Sequence, residues 1–328
     1  MQKLSTNCKG LCRYLVGNLQ ASSRVDGWID IEVRVWFFHQ RIAGCRMWYD
    51  THGGSDGCRN PLSLNTLGGI LGGTKVFSAT GHNDFYSADA LLRLLTDALI
   101  IVAVMAHIKV GSVEEMQTRV TSSDWQATIT EVMKKCIPPT SVHCNRKQKT
   151  IKECDALLEN AVLLLHHSLM DRALGEAVAW GDSGRIVKHL QMIAMMFHGR
   201  RRSNYATNSL AWYTAMLKTW SDDRKRVWLN HCMVNHSEWE AKWIEMDWSN
   251  VQLVCYIKEV YNPCGTPASY RFQHGIVARW MMIFRRAKLA MARATGAPDY
   301  RTHHGEMSAQ VDIRRLIEHL HSENIYYS

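Results

Sequence analysis

Asp182-Ser183-Gly184-Arg185-Ile186-Val187-Lys188-His189-Leu190-Gln191-Met192-Ile193-Ala194-Met195-Met196-Phe197-His198-Gly199 decides the fold class. Ile186, Val187, Leu190, Ile193, Ala194 and Phe197 recur at the spacing that gathers apolar side chains on one face of a helix. Asp182 or Ser183 can cap the first turn by accepting a backbone N–H, and Gly199 marks the end. The same period runs through most of the chain on both sides, so the fold class is mostly α.

Toward the C-terminus it places helices over residues 204–220, 223–233, 244–261, 269–294 and 308–322. Upstream it places a long helix over 155–180, either continuous or broken once, ended by Gly181. Others cover 113–135, stopped near Pro138 and Pro139, and 88–107. A helix over 38–49 follows the one strand signal, Trp28-Ile29-Asp30-Ile31-Glu32-Val33-Arg34-Val35, which alternates apolar and polar residues. Gly53, Gly54 and Gly57 put residues 51–61 in a loop, and Gly68, Gly69, Gly72 and Gly73 do the same for 67–73. The expected organisation is a partial α/β segment over 1–86, a truncated core, followed by a helical domain over 87–328. The polar, basic stretch 138–149 is a further candidate boundary. No repeat of fixed period or low-complexity run occurs.

The 328 residues are 46% hydrophobic and 21% charged, enough to bury a core and unlike a disordered chain. Lys and Arg outnumber Asp and Glu by 39 to 30, a net charge of +9, which favours anionic partners, nucleic acid first among them. Ten cysteines without an apolar N-terminal leader read as reduced thiols, and place the chain in the nucleus or cytoplasm. The most apolar stretch, 88–106, is interrupted by Arg93 and Asp97, which can pair four residues apart. It reads as a buried helix, and no membrane partner is expected.

Reaction signatures are incomplete. Gly68-Gly69-Ile70-Leu71-Gly72-Gly73-Thr74-Lys75 lacks the residue order of a phosphate loop. Cys8 and Cys12 have no second pair, and Cys136, His143, Cys144 and Cys154 match no zinc spacing. The adjacent pairs His166-His167 and His303-His304 diverge on a helix. No G-x-S-x-G elbow occurs. The expectation is therefore no metal site and no cofactor. Asp182, Glu245 and Asp247 are the carboxylates left for catalysis, and each stands near a helix start, where capping also explains it. The basic residues Arg200, Arg201, Arg202, Arg285, Arg286 and Lys288 are the candidates for nucleic-acid contact. Trp212, Trp220, Trp228, Trp239, Trp243, Trp248 and Trp280 crowd the same half, for stacking or for core packing.

Several blocks in order point to a family. They are Phe37-Phe38-His39-Gln40-Arg41-Ile42-Ala43, Asn60-Pro61-Leu62-Ser63-Leu64, Glu159-Asn160-Ala161-Val162-Leu163-Leu164-Leu165, Gly181-Asp182-Ser183-Gly184-Arg185 and Phe197-His198-Gly199-Arg200. Asn204-Tyr205-Ala206, Trp228-Leu229-Asn230-His231, Tyr256-Ile257-Lys258-Glu259-Val260-Tyr261-Asn262 and Ala268-Ser269-Tyr270 follow. The chain resembles a large fungal family known only as a domain of unknown function and associated with mobile elements. That resemblance implies kinship with the C-terminal part of transposase-derived proteins that have a ribonuclease-H-like core and a large helical insertion. In such a fold, carboxylates hold two metal ions for attack on a phosphodiester. The resemblance also implies two losses. A carboxylate would precede Gln2-Lys3-Leu4, before the chain starts, and another position reads Val251. The expectation is a catalytically inactive, mobile-element-derived protein that retains DNA or RNA contact. The alternatives are a metal-dependent nuclease or transposase-like enzyme, and a helical protein-interaction module.

Overall fold

The computed structural model describes residues 37–54, 60–72, 85–120, 124–136, 156–261, 278–296 and 309–326. The helices are α1 (Phe37–His52), α2 (Leu64–Ile70), α3 (Phe85–Ile108), α4 (Val113–Arg119), α5 (Trp125–Cys136) and α6 (Ala156–Ala179). They continue with α7 (Ser183–Gly199), α8 (Ser203–Thr214), α9 (Asp222–His231), α10 (Met246–Tyr261), α11 (Ala278–Thr295) and α12 (Ala309–Ser322). Between α9 and α10, strands β1 (Met233–Val234) and β2 (Ile244–Glu245) form an antiparallel hairpin with Met233 opposite Glu245. The protein is mostly α. The strand expected at 29–35, the stretch 138–149 and the residues His143, Cys144, Cys154, His303 and His304 lie outside the described residues.

Helix α7 follows its sequence pattern closely. Asp182 Oδ1 accepts the Arg185 N–H at 2.9 Å, and Ile186, Leu190, Ile193, Ala194 and Phe197 are buried. The preceding helix ends as Gly181 requires. Gly181 takes φ +69°, its N–H donates to Val178 O, and the Asp182 N–H donates to Ala177 O. These two bonds satisfy carbonyls that the helix end would otherwise leave open.

Three expectations are revised and one open reading is settled. Residues 67–70 are helical despite Gly68 and Gly69, because Ser63 Oγ accepts the Thr66 N–H at 3.1 Å and Leu64 and Leu67 are buried. The stretch 113–135 divides, since the β-branched Val120 is extended and ends α4. Residues 156–179 run unbroken. Ile244 and Glu245 are drawn into the hairpin, so α10 begins at Met246.

One apolar cluster extends from Phe37 to Ile325. At its centre α3 is flanked by α6 and α12, with α1 and α7 on α6 and α8 on α7. By length and composition α3 would suffice to cross a membrane; here Leu95, Ala98, Leu99 and Val102 are fully enclosed, and Leu316 and Leu320 of α12 are buried in the same cluster. Its charges do not pair as the sequence spacing suggests. Arg93 bonds Asp89, one turn back, and Asp97 bonds Arg172 of α6. Helix α8 continues into one π turn, Ala215–Thr219, closed by the Trp220 N–H on Ala215 O at 2.8 Å. The indoles of Trp212, Trp220 and Trp228 lie 4.6 to 6.4 Å apart and pack into this core. Trp239 and Trp280 are exposed.

Gly181→Ala is expected to lower stability by about 1–3 kcal/mol, because its Cβ would come within 3.0 Å of the Trp243 indole at a left-handed backbone. Gly199→Ala, with nothing near its Cβ, is the matched control. Urea midpoints for the two variants, falling in the first and unchanged or higher in the second, check this.

Candidate functional site

Three charged side chains occupy positions that the helical period assigns to the interior. Arg41 shares a stripe of α1 with the buried Phe37, Phe38, Cys45 and Trp48. Asp89 lies among Phe85, Ala88 and Leu92 of α3, and Asp171 among Leu164, Ser168, Leu174 and Val178 of α6. Arg41 Nη1 donates to Glu245 Oε1 at 2.8 Å and Nη2 to Asp89 Oδ1 at 3.4 Å. Arg93 Nε donates to Asp89 Oδ2 at 2.9 Å. Asp171 is hydrogen-bonded to Asp89. Gly175, one turn past Asp171, leaves the space; a Cβ there would lie 2.8 Å from Arg93 Nη2 and 3.5 Å from Arg41 Nη2.

Charge accounts for the protonation. Three carboxyl groups face two guanidinium groups, so the cluster is neutral when one carboxyl keeps its proton. Burial, and then the Asp89 carboxylate, push Asp171 up to about 7 against the pull of Arg41. Burial and the neighbouring Asp89 thus favour the protonated form of Asp171. Burial alone would lower Arg41, but Glu245 and Asp89 outweigh it and hold the guanidinium charged.

The acidic residues singled out from sequence have separate tasks. Glu245 is the main partner of Arg41. Asp247 caps a helix other than its own: Oδ1 accepts the Phe38 N–H at 3.2 Å, and Oδ2 accepts the His39 N–H at 3.3 Å. Helix α1 has no acidic residue in its own first turn, so Asp247 supplies the negative charge that its N-terminus favours. His39 Nδ1 adds a contact to Oδ2 at 3.1 Å. Asp182 caps α7 and bonds Arg185 Nε at 2.7 Å. A pair of metal ions does not fit these carboxylates: they already accept hydrogen bonds from protein donors, and the cation beside Glu245 is Arg41. Among the described residues no group of three His, Cys, Asp or Glu side chains could hold a metal ion.

A second polar pair lies nearby. His52 Nε2 and His167 Nδ1 are 2.8 Å apart, and the His167 ring stacks on Trp48 at 4.3 Å. Burial and the Arg200 charge bring His52 down to about 4. Burial, with His52, His166 and Arg200, brings His167 down to about 3. Both rings are neutral near pH 7, which lets one donate to the other.

Of the basic candidates, Arg200 and Arg201 are exposed in the turn between α7 and α8, with Arg201 at φ +55°. Arg202 bonds Asp50 of α1. Arg286 is exposed on α11; Arg285 and Lys288 belong to the same helix, with side chains outside the described set.

Comparison with known proteins places the chain. A model for a family of unknown function, DUF6589, matches residues 9–304. The chain belongs to this family. Neither a curated protein nor a solved structure matches it. The DUF6589 match takes in Arg41, Asp89, Asp171 and Glu245, and stops before α12, which supplies Leu316, Ile317 and Leu320 to the core.

Arg41→Leu, which leaves Glu245 and Asp89 buried without their cation, is expected to lower stability by about 3–5 kcal/mol, read from urea unfolding. The pH profile tests the assignment of the proton. A raised Asp171 stabilises the fold fully below its unfolded value of 3.8, and that contribution is lost as pH rises through about 7. Depressed His52 and His167 stabilise it above 6.5, a contribution lost as pH falls toward about 4 and about 3. The two oppose each other between these limits. Asp171→Asn removes the first, so its stability should climb more steeply with pH than that of the unaltered chain. Parallel profiles would show that Asp171 does not titrate there.

Proposed function

We propose that this chain is a catalytically inactive product of a fungal mobile element that binds DNA or RNA phosphates at the turn between α7 and α8, in the nucleus or cytoplasm. The observation that carries the reading is the pairing of two exposed arginines with an open helix end. Arg200 and Arg201 make no ion pair among the described residues. Arg202 stands at the N-cap of α8 and forms no side-chain cap hydrogen bond. Arg200 and Arg201 immediately precede this N-cap in the chain, and a helix start with basic residues beside it favours an anionic oxygen. The Arg202–Asp50 pair ties that corner to α1. Net charge +9 supports the same partner. The absence of catalysis is supported by the carboxylates, which are engaged in capping and in neutralising Arg41.

A second reading, a protein-docking module, is favoured by Met192 and Met195, which are 44% and 69% exposed on the face of α7 that also carries Arg185 and Lys188.

Fluorescence anisotropy with labelled duplex DNA and single-stranded RNA, across about 50–200 mM salt, tests the first reading. Affinity is expected to fall linearly on a log–log plot. Replacing Arg200 and Arg201 together by Glu should weaken binding to all sequences alike and make the slope shallower by about two. No binding at the lowest salt would sink the reading and leave protein docking.

A further inference from the structure

A small cavity lies where α1, α6 and α7 meet, lined by Trp48, Met170, Asp171, Leu174, His189 and Ile193. Its water-accessible space is about 10 Å³, close to the room that one water molecule needs. Three of the lining residues are apolar. The other three each carry a buried polar atom with no hydrogen-bond partner among the described residues: Trp48 Nε1, Asp171 Oδ2 and His189 Nδ1. Each comes from a different helix. Buried polar atoms are rarely left unpaired, and three around one cavity call for a common partner.

Their chemistry selects that partner. The indole N–H of Trp48 only donates. Asp171 Oδ2 is a buried carboxyl oxygen with no partner among the described residues, and a carboxyl oxygen can accept. Burial lowers His189, and Arg185 adds to the effect, so the ring is neutral near pH 7 and Nδ1 accepts when the proton sits on Nε2. One donor and two acceptors are the complement of a water molecule, which accepts through a lone pair and donates twice. An ammonium ion would meet the Trp48 N–H with a donor of its own. An anion would meet two acceptors.

We infer that this junction binds one internal water molecule, which accepts from Trp48 Nε1 and donates to Asp171 Oδ2 and His189 Nδ1. The water extends the charge cluster: the hydrogen-bonded path runs from Arg41 through Asp89 and Asp171 to His189, and so joins α1, α3, α6 and α7. The site is independent of nucleic-acid binding.

The test is a crystal structure of the full chain at a resolution that places waters, alongside Trp48→Phe, which keeps an aromatic ring against His167 and removes the donor. The expected result is a density peak of water weight within about 2.7–3.2 Å of all three atoms, lost or displaced in the variant. Should Trp48→Phe not fold, His189→Leu replaces it and should lose the same peak. In solution, the Trp48 indole proton should cross-relax with a long-lived water in the unaltered chain, and this signal should vanish in His189→Leu. A dry cavity, a larger occupant, or Trp48, Asp171 and His189 rotated to bond other groups would overturn the inference.

Discussion

Arg41 reaches Glu245 and Asp89 from the interior of α1, and elements far apart in the chain are joined through it. The interaction is less a source of net stability than a constraint on arrangement. An apolar set of similar volume would hold the helices as well. What the charges add is a penalty on every packing that leaves one of them alone. Only an arrangement that brings α1, α3 and β2 together gives Arg41, Asp89 and Glu245 their partners, and α6 adds Asp171, whose protonated form is favoured beside Asp89. The small residue at Gly175 and the cap that Asp247 gives to α1 follow from the same geometry. Both let a charged helix start and a charged helix middle sit inside an apolar cluster.

Much of the fold was legible because most of its helices carry their own instructions. Asp182, the apolar positions from Ile186 to Phe197, and Gly199 mark α7 almost to the residue. Helices α3 and α12 were placed within a few residues for the same reason. The misreadings fall where local and distant effects compete. Gly68 and Gly69 favour a loop, but Ser63 caps the turn and Leu64 and Leu67 bury it. Ile244 and Glu245 suit a helix, but Met233 and Val234 offer strand partners.

The candidate site was harder to read. Glu245 and Asp247 stood out as acids near a helix start, yet their partners lie 204 to 209 residues upstream. Arg202 looks like its neighbours in sequence and differs only in reaching Asp50, 152 residues away. Arg41, Asp89 and Asp171 were overlooked although a signal exists. Each puts a charge into an otherwise apolar stripe, and charge at such a position implies an opposite charge buried beside it. Period alone tells which residues are interior; it does not tell which interior residues need each other.

The place of α12 has a consequence for synthesis. Helix α3 is apolar enough to enter a lipid bilayer, and one of its flanking helices, α12, begins at Ala309, about 200 residues after Ile108. At ordinary elongation rates of about 5–20 residues per second, this stripe of α3 waits roughly 10–40 s on the ribosome before α12 can reach it. During that interval the apolar face that α12 covers is open to other apolar surfaces, so whatever shields it until α12 is made favours the folded chain.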